Sequence, residues 1–297
     1  MGGWQLEPFN GTFYPSTSPK SFRKLEFYSR YFDIVEVNAT FYTTALTPKN
    51  AYQWVEDVSG NKEFKFSVKL FKGFTHSMDA MASDVAKVQM LLDPLAAEEK
   101  LAGLVLQFPY AFVWNDANRE YLKKLGQSFS RFTLFVEVRH NSWNVPEALS
   151  FLRENNLHLV NVDLPKMHRH MPLTGIAWDN TAYFRLMGRN AKEWSAPLAQ
   201  KGKTGGSEND RYFYCYDKDE LNEFVKLVKH AALKMDETVV ILHNDPNGNS
   251  LLNGFQLRHF LFPEKKFEAP PTLARTFPEL KMICSPEPVP SDLFGNI

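Results

Sequence analysis

Short apolar runs recur along the chain, separated by longer stretches in which apolar residues return every three or four positions. The runs are FDIVEVN (32–38), FKFSVKL (64–70), LAGLVLQF (101–108), RFTLFVEVR (131–139), LHLVNVD (157–163), AYFRLMG (182–188) and TVVILHND (238–245). Short runs rich in β-branched and aromatic residues predict strands, and the 3–4 spacing predicts helices over 48–58, 84–97, 115–127 and 217–235. Asp217, with Glu220 three residues later, forms the signature of a capping box before the last helix. This alternation predicts βαβ units and a parallel sheet. Seven units, with residues around Gly2–Gln5 as an eighth strand, predict an α/β fold of the (β/α)8 TIM-like barrel type with a short first strand. No strand is followed by GxGxxG or GxxxxGK[ST], which weighs against an open nucleotide-binding sheet. KGKTGGSEND (201–210) lacks the phosphate-loop spacing and reads as a polar loop.

The barrel is assigned to residues 1–262 and a Pro-rich tail to 263–297, because seven of the eighteen prolines fall there. Proline at that density excludes long helices and central strands, so the tail is expected to be extended, packed on the barrel or fraying from it.

Side chains alternate faces along a strand, so in a barrel one parity meets the helices and the other lines the interior. Val35 and Val37 suit the helix layer, which turns Ile34, Glu36 and Asn38 inward. The same reasoning turns Ser67 and Lys69, Val105 and Gln107, Glu137 and Arg139, Asn161 and Asp163, and Tyr183 and Arg185 inward. Glu36, Lys69, Glu137, Arg139, Asp163 and Arg185 therefore converge near the C-terminal strand ends, where barrel enzymes keep their active sites. Interior charges are costly unless paired or solvated, so this ring is either a closing salt-bridge network or a pocket for a polar ligand. His76, His140 and Arg189 follow strands and add positive character, which points to an anionic ligand such as a phosphate or carboxylate.

Composition narrows the picture. Thirty-four Lys and Arg balance 34 Asp and Glu, which removes the electrostatic reason for general nucleic-acid or membrane-surface binding. Cys215 and Cys284 have no metal-ligand spacing, and no secretory leader or 18-residue apolar run occurs. A cytoplasmic protein with free thiols and no disulfide is the expectation.

Several strings match one family in order: GGWQLEPFNGTFYP (2–15), FDIVEVNATFY (32–42), FKFSVKLFKGFTH (64–76), FVEVRHNSW (135–143), AYFRLMGR (182–189) and HNDPNGNSLLNGFQL (243–257). Over roughly residues 2–260 the chain resembles the domain of unknown function 72 family, also called YecE-like proteins. The resemblance implies a TIM-like barrel and brings no reaction with it. The positions matching the family pattern include Glu36, Asn38, Tyr42, Lys69, His76, Gln107, Glu137, Arg139, His140 and Trp143. Asp163, Arg185, Tyr214, Tyr216, Asn244, Asp245 and Asn253 match as well. Three departures stand out. The first strand is short, His243 stands where the family usually has an aromatic, and Met187 where it usually has histidine.

Three chemistries fit these residues. A hydrolase could use Glu36, Glu137 and Asp163 as catalytic carboxylates, with Trp4, Tyr14, Tyr42, Trp143, Tyr214 and Tyr216 stacking on a sugar or base. A metal-dependent phosphodiesterase or nuclease-like barrel could draw ligands from Glu36, Glu137, His140, Asp163 and Asp245. Lys69, Arg139 and Arg185 in the same ring oppose a cation, so no metal or other cofactor is assigned. A non-enzymatic barrel for a metabolite or nucleic-acid end is the third reading, with nucleic acid disfavoured by the net charge. HRH (168–170) reads as surface histidines. The sequence leaves the oligomeric state open.

Overall fold

The computed structural model describes residues 1–195 and 208–286. Seven parallel strands follow one another in chain order: β1 (Ile34–Val37), β2 (Lys65–Lys69), β3 (Leu101–Gln107), β4 (Leu134–Glu137), β5 (Leu157–Asp163), β6 (Thr181–Leu186) and β7 (Glu237–Leu242). Between them lie the longer helices α3 (Pro48–Asp57), α5 (Ala82–Ala97), α6 (Asp116–Ser128), α7 (Pro146–Glu154) and α9 (Lys218–Ala232). Short helices precede or share these crossovers: α1 (Lys24–Ser29), α2 (Ala39–Tyr42), α4 (Lys72–Thr75) and α8 (Ala191–Ser195). α10 (Asn249–Leu261) follows β7. The α9 cap is reciprocal: Asp217 accepts from the Glu220 N–H at 2.9 Å and its own N–H donates to Glu220 Oε2 at 3.1 Å.

The architecture is a nearly closed TIM-like barrel. The expected eighth strand is absent, and the N-terminal residues fill the seam between β1 and β7. The Met1 carbonyl accepts from the Glu36 N–H at 3.0 Å, and the Gly2 carbonyl accepts from Asn38 Nδ2 at 2.8 Å. Pairing stops there because Gly3 turns the chain away with a φ of 145°.

Strand alternation divides the core in two. Val35, Val37, Phe64, Phe66, Leu104, Leu106, Val136 and Val138 pack under the helices, and Val105, Phe135, Val160, Val162, Tyr183, Val239 and Ile241 fill the barrel. Gly103 makes room inside: a Cβ there would lie 2.5 Å from the Phe135 ring. One strand differs from its expected parity. On β5 the inward residues are Val160 and Val162, whereas Leu159 joins the outer core. Asn161 turns out, donates to the Ile176 carbonyl at 2.9 Å and accepts from Thr174 Oγ1 at 2.9 Å. A strand with apolar residues on both parities does not announce its face, and local backbone partners satisfy the amide.

The segment after α10 is not simply extended. β8 (Phe267–Ala269) pairs in parallel with β9 (Cys284–Pro286), and α11 (Pro271–Thr276) lies between them. Thr272 Oγ1 donates to the Phe13 carbonyl at 2.8 Å, and Leu273 and Leu280 are fully buried. Most of the polar loop at 201–210, and the chain beyond 286, lie outside the described residues. Among the described residues no helix is long and apolar enough to cross a membrane.

Candidate functional site

Parallel strands place their last inward residues at one rim, and here that rim is charged. Glu36 on β1, Glu137 at the end of β4 and Arg185 near the end of β6 are buried together. Arg185 is the hub. NH2 donates to Glu36 Oε1 at 2.6 Å, and NH1 donates to Glu137 Oε2. Nε and NH2 lie 3.2 and 2.8 Å from His243 Nε2. Arginine keeps its protons, so this ring nitrogen is the acceptor and the histidine proton sits on Nδ1. Tyr183, from the layer below, donates to Glu36 Oε2 at 3.0 Å and lies 2.7 Å from Ser67 Oγ.

These contacts fix the charge states. Burial alone would raise the Glu36 carboxyl, but the Arg185 charge above all holds it well below the usual carboxylate range. Burial likewise opposes ionisation of Glu137, and Arg185 and Arg139 overcome it, bringing the group down to about 2. His243 is pushed down to about 4, first by burial and then by the Arg185 charge. Near neutral pH the hub is therefore two carboxylates, one guanidinium and a neutral imidazole.

Above the hub stand the more accessible groups. Arg139 donates through Nε to Glu137 Oε1 at 2.8 Å, and its guanidinium lies 5.5 Å from the Trp194 ring centroid. Lys69, the last residue of β2, rests its Nζ on the face of Phe41 at 3.9 Å from the centroid. No described group forms a hydrogen bond or ion pair with that amine. Burial first, then the Arg185 charge, push Lys69 down to about 7, against the pull of Glu36 and Glu137. His76 packs against the same Phe41 with ring centroids 4.9 Å apart, and its Nδ1 lies 2.9 Å from Thr75 Oγ1. Its partial enclosure, then Lys69 and Arg139, push it down to about 4.

Other expected site residues are held elsewhere. Asp163 takes Arg189 Nε at 2.9 Å and the Tyr216 hydroxyl at 2.7 Å, and Arg189 goes on to Glu220, which also accepts from the Tyr214 hydroxyl at 2.6 Å. That cluster ties the β5 and β6 ends to the start of α9 and stands apart from the hub. Trp143 is fully buried, stacked on Phe112, and its indole N–H donates to the Phe112 carbonyl at 2.8 Å. It is core, where the sequence suggested a ligand contact. His140 accepts from the Ser142 N–H at 3.1 Å and caps a short turn. Gln107 donates to the Phe108 carbonyl at 3.0 Å. Asn244 donates to Asn253 Oδ1 at 2.8 Å, and Asp245 accepts from Ser250 at 2.6 Å. Asp245 is pushed up to about 6 by burial. Asn38 and the exposed Tyr42 line a separate cleft of about 370 Å³ with Trp4 and Trp54. In HRH, His168 is exposed and His170 half-buried beside Tyr110.

A family model described as "Protein of unknown function DUF72" matches residues 1–276. The chain belongs to this family. Within it, the chain is 30% identical over 263 residues to UPF0759 protein YunF of Bacillus subtilis (strain 168), covering 84% of this chain and 90% of the relative. A DUF72 structure from Thermotoga maritima MSB8 superposes with a TM-score of 0.73 at 29% identity, over 88% of this chain and 96% of that one. Another, from Enterococcus faecalis V583, gives 0.72 at 25% identity, over 82% and 89%.

In this DUF72 protein, three residues at the rim were not among the expected site residues: His243, noted only as a departure from the family pattern, Phe41, noted only as matching it, and Trp194. His243 continues the inward parity of Val239 and Ile241, a signal that was available; Phe41 and Trp194 come from helices after strands, where parity gives none. Among the described residues no three His, Cys, Asp or Glu side chains group as a metal site. The carboxylates at the rim already serve arginines.

Proposed function

We propose that the barrel mouth binds a small anionic ligand over the Glu36–Arg185–Glu137 hub, with Lys69 and Arg139 as its contacts and Lys69 as the acid–base group. The observation that carries this reading is the charge balance of the rim. Arg185 and Arg139 cancel Glu36 and Glu137 through direct hydrogen bonds, which leaves Lys69 as a surplus amine with no hydrogen-bonded partner among the described residues. An anion restores the balance. Arg139 commits only Nε to Glu137, and no described group takes its terminal nitrogens. An acid–base role for Lys69 follows from an amine that exchanges its proton near neutrality.

This reading replaces paired-carboxylate hydrolysis as the favoured chemistry. Both carboxyls are ionised and forked by Arg185, so neither holds a proton to give a leaving group. The test is calorimetric titration with inorganic phosphate and sulfate at low salt, slightly above neutral pH, in buffers of differing ionisation enthalpy. The expected result is binding with uptake of a proton by Lys69, weakened roughly tenfold or more in Lys69→Met and in Arg139→Met. Absence of binding heat with either anion, or unchanged affinity in Lys69→Met, would sink the proposal.

A further inference from the structure

The rim contains a nucleophile that anion binding alone leaves unused. We propose that Lys69 is an imine-forming amine, condensing with the carbonyl of a small anionic aldehyde or 2-oxo acid held at the mouth. This rests on the anion-binding reading and adds the substrate's reacting group. In the step, the Nζ lone pair attacks the carbonyl carbon, the C–N bond forms, and the C=O π pair moves to oxygen. The two amine protons and that oxygen then leave as one water, and the C=N bond remains. No oxidant or reductant takes part.

Four observations support it. Among the described residues no acceptor holds Nζ in protonated form, and the nearby carboxylates are already engaged, Glu36 by Arg185 and Glu137 by Arg185 and Arg139. One side of the amine is covered by the Phe41 ring at 3.9 Å, which withholds water there, and the side chain remains partly exposed to a ligand. The guanidiniums of Arg185 and Arg139 disfavour a third cation beside them, the arrangement that activates a lysine next to another cationic group. The backbone is pinned, since Thr40 Oγ1 donates to the Lys69 carbonyl at 2.6 Å and the next N–H, of Leu70, donates to the Val105 carbonyl at 2.9 Å. The downward shift to about 7 accords with this setting. It leaves a substantial fraction of the amine unprotonated at neutrality, against roughly one part in 2,500 for an ordinary lysine. His76, on the same Phe41 ring and uncharged near neutrality, is the side chain available to relay protons between nitrogen and the departing oxygen.

The experiment is reductive trapping on the full wild-type chain, so no variant has to fold. Glyoxylate and, separately, uncharged glycolaldehyde are supplied at about pH 7 with cyanoborohydride, and labelling is followed lysine by lysine by peptide mass mapping. Lys69 is expected to label at least tenfold faster than exposed Lys62 and Lys123, faster with glyoxylate than with glycolaldehyde, and to be protected by inorganic phosphate. Labelling of Lys69 no faster than the exposed lysines overturns the inference whatever phosphate does. Fast labelling by both aldehydes, with neither preference nor protection, overturns the anion-binding reading and with it the anionic substrate class.

Discussion

Arg185 is the residue on which the rim depends. It is 1% exposed and satisfies two buried carboxylates and an imidazole at once. A buried ion pair contributes little net stability when whole, because desolvation offsets the attraction, but removing one partner strands the other. Arg185→Met strands Glu36 and leaves Glu137 with Arg139 alone, and is expected to destabilise the fold by roughly 3–5 kcal/mol at neutral pH in urea unfolding. The deficit should shrink near pH 5, since without the arginine burial raises the Glu36 and Glu137 pKa values and protonation relieves them. An unchanged deficit between the two pH values would show that the lost packing, not the stranded charge, sets the cost. Glu36, Glu137 and Arg185 were legible at this scale because β1, β4 and β6 carry an unmistakable apolar parity. Asp163 was not, since LHLVNVD offers valines on one face and leucines on the other, and only the Arg189 and Tyr216 contacts reveal its side.

At the scale of elements, the sequence announced seven strands, four of the five longer crossover helices and the α9 cap, all of which rest on local periodicity. What it could not announce was how the sheet ends meet. Closure depends on residues 1–3 fitting between the β1 and β7 ends, a non-local fit without periodic signature. Gly2 sits there because nothing larger does: a Cβ would lie 2.5 Å from His243 Nδ1 and 2.9 Å from Asn38 Nδ2. Gly2→Ala is therefore expected to cost about 1–3 kcal/mol by forcing the imidazole away from Arg185. His243→Ala removes the obstructing ring, so the double variant should be more stable than the sum of the two single losses implies. Simple additivity in urea unfolding would mean that the seam relaxes without moving His243. The same seam couples closure to the site, because the ring that flanks Gly2 is the one that orients Arg185.

The molecule as a whole carries no net charge, with 34 cationic and 34 anionic side chains, yet its mouth does not balance. Lys69 is the source, and its effect should appear in global stability as a function of pH. Its folded-state pKa, about 7, lies below the roughly 10.4 of an unfolded lysine. Below about 7 both states are protonated and the fold bears the full cost of an enclosed cation; between about 7 and 10.4 the unfolded chain holds more protons, so stability from this group rises with pH. Lys69→Met removes the cost and keeps the aliphatic contact with Phe41. The variant is expected to be more stable than the wild type at about pH 6, with the advantage falling steadily toward pH 10 while anion binding is lost. Urea unfolding of both proteins across that range measures the difference directly. A variant less stable than the wild type at low pH would mean that Lys69 is held by attractive contacts after all, and the unpartnered amine on which both ligand binding and imine formation rest would be gone. The expected curve ties the two properties together: the amine that the fold holds at a cost is the one free to meet a ligand.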